Sequence, residues 1–327
     1  MQLITFKTVA ATGSPCPLIG ELMLTQKSLL IALLLLLLPA SPFAIAKGTL
    51  SRNKTTWNGV TRLYAVYVPQ GLPLNAPMVL FLHSTQNGDP NSPPWVSLPG
   101  EWESVADANK FLMVWPVSTY STRAGQWYWD CDFFDFSFAT VPDDAGYIRN
   151  LITTLTAQYA INPRRVFVTG MSSGGYMTQR VGFELSDIVA AIAPVSGPIW
   201  IQPETQDQAP LTPARPLSVI EFHGTVDQNV PYCGGTNRMA WKENGNTVAS
   251  TQESMNFWIA ANACSKLSTT QTTCTSNYQV NTSYPGLDAT GCLNGVEVEF
   301  VPEWGYGHVW VPGTEAIIWK FFATHGR

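Results

Sequence analysis

Charge is scarce in this chain. Only 13% of its 327 residues are Asp, Glu, Lys or Arg, the formal net charge is −5, and no run of basic residues occurs. Binding to nucleic acid rests on neutralising phosphates with Lys and Arg, so no nucleic-acid partner is expected. No CxxC or HxxxH spacing is present, which leaves zinc without a ligand set, and no metal is expected. Histidine occurs only four times, so a role for imidazole can be assigned by elimination. No internal repeat or low-complexity tract breaks the chain. The uninterrupted apolar run Leu29–Leu38 is shorter than the roughly 20 residues a membrane-crossing helix needs.

That run has the flanks of a secretory signal. Lys27 precedes it, Pro39, Ala40 and Ser41 follow it, and Ala44-Ile45-Ala46 offers small residues at a cleavage site. We expect cleavage after Ala46, export, and no stable membrane insertion of the mature chain. Met23 is the more ordinary start for such a signal, so residues 1–22 are a candidate upstream extension. Residues 47–327 are then long enough for one large domain with its own core. Five cysteines follow the signal: Cys131, Cys233, Cys264, Cys274 and Cys292. An odd number allows two bridges at most and leaves one thiol over.

What the chain does have is aromatic: twelve Trp, eleven Tyr and fifteen Phe. Apolar runs then mark the elements. Arg62–Val68 alternates as an early strand, and Met78–Leu82 and Phe111–Trp115 read as strands buried on both faces. Ser84–Pro99, with four prolines, reads as irregular, and the aromatic stretch Trp127–Phe138 as a loop over the sheet. Asp143 and Asp144 open an amphipathic helix carrying Ile148, Leu151, Ile152 and Leu155. Val166–Thr169, Ile188–Val195, Ser218–Phe222 and Val296–Val301 are further strands. Tyr176–Glu184, Ser254–Ala263 and Thr314–Thr324 are helices. This alternation predicts an α/β fold with a mostly parallel sheet and helices on both faces.

Gly170-Met171-Ser172-Ser173-Gly174 fits G-x-S-x-G and sits directly between a buried strand and a helix, the context of a nucleophile elbow. A serine hydroxyl needs a base to take its proton. His83 and His223 end strands, and His325 lies at the frayed end of the chain. His308, between the last strand and the last helix, holds the place of the base in the order Ser, acid, His. Among the aspartates after Ser172, Asp227 follows a strand at the carboxyl edge of the sheet, where sites form. Ser172, Asp227 and His308 are therefore the expected triad. Ser173, and Thr85 or else Ser84, are expected to give the backbone N–H groups of an oxyanion hole. Trp127, Trp129, Trp304 and Trp310 are expected near the substrate.

These residues resemble the secreted polyhydroxybutyrate depolymerase and feruloyl esterase-like α/β-hydrolases. The resemblance rests on Leu82-His83, Val168–Met177, His223–Tyr232 and Gly307-His308, and runs from about residue 55 to the end. It implies an α/β-hydrolase fold, hydrolysis of small or polymeric esters with no metal or organic cofactor, and the same triad. Two departures stand out: Ser84 where the family has Gly, and one extra residue in His308-Val-Trp-Val-Pro-Gly313. The resemblance also points to a Cys264–Cys292 disulfide, which fits export and the Thr-, Ser- and Gly-rich loop between them. Cys274, inside that loop, competes for either partner. A serine peptidase with the same triad and a non-catalytic secreted binding protein are the alternative functions.

Overall fold

The computed structural model describes residues 47–94, 101–131, 142–199, 212–236, 247–277 and 279–327. The expected signal lies outside them, as do residues 132–138 of the aromatic stretch. The described residues belong to one compact unit, Ile45–Arg327.

Chain order gives β1 (Thr49–Trp57), β2 (Val60–Val68), β3 (Met78–Leu82), β4 (Gln86–Asn87), α1 (Trp102–Asn109), β5 (Leu112–Pro116), β6 (Thr119–Ser121) and β7 (Gln126–Tyr128). Then come α2 (Asp144–Gln158), β8 (Val166–Met171), α3 (Ser173–Glu184), β9 (Ala191–Val195), β10 (Ser218–Gly224), β11 (Gly235–Thr236) and β12 (Thr247–Val248). The chain continues through α4 (Thr251–Ala261), β13 (Lys266–Leu267), β14 (Leu287–Thr290), β15 (Val298–Glu303) and α5 (Thr314–Thr324). Ten strands form the main sheet in the order β1-β2-β5-β3-β8-β9-β10-β15-β14-β13. From β5 to β15 neighbours run parallel, and the flanking pairs are antiparallel.

β3 shows how the layers form. Met78, Leu80 and Leu82 join one core cluster, while Val79 and Phe81 join the other. Side chains alternate across a strand, so these clusters lie on opposite faces of the sheet. α2, α3 and α4 bury Ile148, Met177, Val181 and Trp258 in the first. α1 and α5 bury Trp102, Ala106, Ile318 and Phe322 in the second. Helices therefore cover both faces.

Some elements depart from the sequence expectations. β7 belongs to a small antiparallel sheet with β4 and β6, so part of the aromatic stretch is strand rather than loop. β1 and α1 were not expected. β1 is a polar edge strand without an apolar face, and α1 has only eight residues, too few for a clear period. His325 does not fray: its ring stacks on Phe321 at 4.0 Å and Nε2 lies 3.1 Å from Glu297.

Candidate active site

Parallel strands put their carboxyl ends on one edge of the sheet, and the three residues of the expected triad each follow such an end. Ser172 directly follows β8, Asp227 lies three residues past β10, and His308 five past β15. Ser172 has φ 57° and ψ −122°, in the sterically restricted half of backbone space. Its N–H bonds the Val195 carbonyl at 3.0 Å, and its own carbonyl accepts from Tyr176 N–H at 2.9 Å. Gly174 makes the turn possible: a Cβ there would collide with the Leu82 carbonyl at the end of β3.

Two loops meet to set Asp227 beside His308. Gly224 and Glu303 are in register at the ends of β10 and β15. Beyond them Thr225 N–H donates to Glu303, Val226 N–H to Tyr306, and Gly305 N–H to the Thr225 hydroxyl, at 3.0, 3.0 and 2.9 Å. A Cβ on Gly224 would strike the Gly307 carbonyl, so only glycine allows this approach. The result is a 2.7 Å contact between His308 Nδ1 and Asp227 Oδ2. Asp227 Oδ1 accepts from the Asn229 and Val230 N–H groups at 2.8 and 2.9 Å. Burial pushes the Asp227 carboxyl up, but the His223 and His308 bonds outweigh it and hold it well below the usual carboxylate range. His308 Nε2, the other ring nitrogen, is buried without a hydrogen-bond partner.

The loop expected to complete the oxyanion hole is tied at three points. Trp129 Nε1–H donates to the His83 carbonyl at 2.9 Å, and the Ser84 hydroxyl to the Met171 carbonyl at 3.1 Å. His83 Nε2 accepts from Ser118 N–H at 3.1 Å, which leaves Nδ1 to donate to the Ser84 carbonyl at 2.6 Å. Burial, aided by the Arg62 charge and opposed by the Ser84 bond, lowers the His83 pKa to about 4. The imidazole is thus neutral at physiological pH. A trans peptide sends its C=O and N–H to opposite sides, so anchoring the Ser84 carbonyl on His83 turns the half-buried Thr85 N–H the other way. Ser173 opens α3, where N–H groups have no intrahelical acceptor. The departure from Gly to Ser84 thus adds an anchor to the strand bearing Ser172.

The four tryptophans separate. Trp304 is 42% exposed, four residues from His308. Trp127 is buried, donating to the Asp89 carbonyl at 3.3 Å. Trp129 is fully buried on the His83 ring and has no surface to offer a ligand, which corrects its placement near the substrate. Trp310 packs against Phe81 and Trp102 and donates to Glu315 at 3.0 Å. It lines a separate cavity of about 590 Å³ with Val105, Pro312 and Ala316, which the three triad residues do not line. Trp310 thus anchors the His308 loop to the second core cluster.

Two disulfides are present, Cys264–Cys292 and Cys233–Cys274, while Cys131 is buried and lies in neither. The competition for Cys274 is resolved by Cys233, which the sequence did not single out as a partner. His223 was passed over as a strand end, yet it is the second ring beside Asp227; its place in His223-Gly-Thr-Val-Asp227 was the available signal.

The chain is 30% identical over 187 residues to feruloyl esterase B of Piromyces equi, covering 56% of this chain and 31% of that protein. It is 29% identical over 178 residues to poly(3-hydroxyalkanoate) depolymerase C of Paucimonas lemoignei, covering 53% and 40%. It thus spans less than half the length of these two curated relatives. Among solved structures, acetyl xylan esterase from Aspergillus awamori superposes with a TM-score of 0.51 at 16% identity, covering 84% of this chain and 99% of that one. That likeness is one of fold, the α/β-hydrolase fold. Residues 75–256, more than half of the chain and including Ser172 and Asp227, match the phospholipase/carboxylesterase family, and the chain belongs to that family.

Proposed function

We propose that this chain is a secreted carboxylic-ester hydrolase that works through an acyl-enzyme on Ser172. The observation that carries the reading is a positive-φ serine just past β8 and a 2.7 Å Asp227–His308 pair just past β10 and β15, strands of the same parallel run. His308 Nε2 takes the Ser172 proton as Oγ attacks the ester carbon. The charge that develops on the carbonyl oxygen is met by the Ser173 and Thr85 N–H groups. As the ester C–O bond breaks, His308 gives the proton to the leaving alcohol. Water then enters, loses a proton to His308 and releases the acid from Ser172, which regains its proton. Asp227 keeps the imidazole in the tautomer with Nε2 open.

In the same reading residues 1–46 are a signal removed on export, and residues 47–327 are one catalytic domain. Two disulfides support an oxidising destination. Among the described residues no helix is long and apolar enough to cross a membrane. The relatives' names, together with the exposed Trp304, favour an ester with an apolar or aromatic part, or a hydroxyalkanoate. Hydrolysis of p-nitrophenyl acetate by the purified chain tests the activity. Ser172→Ala should lose on the order of 10⁴-fold or more in kcat while remaining folded. A folded variant keeping a tenth of wild-type activity would reject the nucleophile.

A further inference from the structure

Asp227 has a second histidine. His223, on β10 and fully buried, places Nε2 2.9 Å from the Val230 carbonyl oxygen and 3.5 Å from Asp227 Oδ2. A carbonyl oxygen can only accept, so Nε2 carries the hydrogen and the ring is held in one tautomer. Its single N–H is shared between the two acceptors, with Val230 as the nearer. The other nitrogen, Nδ1, is buried without a partner. A perpendicular contact with Tyr232, at 5.7 Å between ring centres, sets the plane of the imidazole.

This one N–H closes the turn that bears the acid. Val230 N–H bonds Asp227 Oδ1 while the Val230 carbonyl accepts from His223, so both sides of Val230 are fastened around the carboxylate. The carboxylate oxygen that His223 approaches is also the one that accepts from His308. We propose that His223 is a positioning residue of this active site. It locks the 223–230 turn and aims Asp227 Oδ2 at His308, acting on the reaction only through Asp227. The inference rests on the triad reading above.

Three substitutions and one control test it. His223→Phe keeps the ring and its packing on Tyr232 but removes the N–H. His223→Gln keeps a donor of similar reach, and His223→Asn keeps an amide too short to span both acceptors. On p-nitrophenyl acetate, His223→Phe and His223→Asn should lose about 10- to 100-fold in kcat with KM changed less than about twofold, as when a reacting group is displaced by an ångström. His223→Gln should recover at least about tenfold of that loss. The low-field proton NMR resonance of His308 Nδ1–H should move in His223→Phe and His223→Asn and return toward its wild-type position in His223→Gln. If His223→Phe does not fold, the Gln and Asn pair decides alone. Wild-type kcat and an unmoved resonance in the folded Phe or Asn variant would overturn the proposal, as would a loss confined to KM. Ser172→Ala run alongside separates the two failures: an active Ser172→Ala rejects the triad, whereas an inactive one beside wild-type His223 variants rejects only the role of His223.

Discussion

Two carboxyls near the end of β10 meet opposite fates. Asp227 is met by two backbone N–H groups and two histidines, and its proton is held off. Glu221, six residues earlier and fully buried, meets only neutral donors, Ser254 Oγ at 2.6 Å and Gln179 Nε2 at 3.2 Å. Burial dominates there and pushes its pKa up from 4.5 to about 8, against the pull of those two bonds. The raised pKa means that the folded chain keeps a proton that the unfolded chain releases. Stability contributed by this site is full below about pH 4.5 and is lost as pH rises toward 8. Glu221→Gln, which cannot ionise, should therefore gain thermal stability over wild type progressively from pH 5 to 8. Calorimetry at pH 5, 6.5 and 8 measures it; a Tm difference that does not grow with pH counts against the buried carboxylate. Trp304 poses a different question at the same scale. It is exposed near His308 with Tyr306 and Val309 exposed beside it. Trp304→Ala should raise KM for a feruloyl ester several-fold while leaving kcat for p-nitrophenyl acetate near wild type, since it removes binding that ground and transition states share. Equal loss of kcat on both esters would place Trp304 in the chemistry instead.

Elements were legible where local chemistry decided them. The run Val166–Met171, then the serine turn, then α3 could be read because a buried strand, flanking glycines and a helix occur in unbroken order. α4 starts three residues before the position its apolar residues suggested, because Ser250 and Glu253 form a capping box that adds a turn. β14 and β13 were not read at all, since at four and two residues they are too short to carry a period of their own. The disulfides act at this scale. Cys233–Cys274 fastens the segment just after the Asp227 turn to the loop that Cys264–Cys292 closes, with separations of 41 and 28 residues. Loop-closure entropy assigns each roughly 3–4 kcal/mol, less when one is already formed. Non-reducing peptide mapping should yield both linked peptides, with Cys131 alkylated only after denaturation. A Cys264–Cys274 peptide as the main product would contradict this arrangement.

Across the molecule, the sequence by itself determined the α/β class and the order of the principal strands and helices, and it singled out the three residues proposed as the triad. It could do so because each depends on short-range pattern: buried runs, a glycine-bounded serine, and very few histidines to choose among. Tertiary structure decided what depends on approach between distant segments. Trp129 and Trp310 became packing once their neighbours, His83, Phe81 and Trp102, were in place. Cys274 found Cys233 rather than a partner within its own loop. Composition and periodicity report which side chains prefer to leave water. Which neighbour each then meets is set by long-range packing, and no local pattern encodes that.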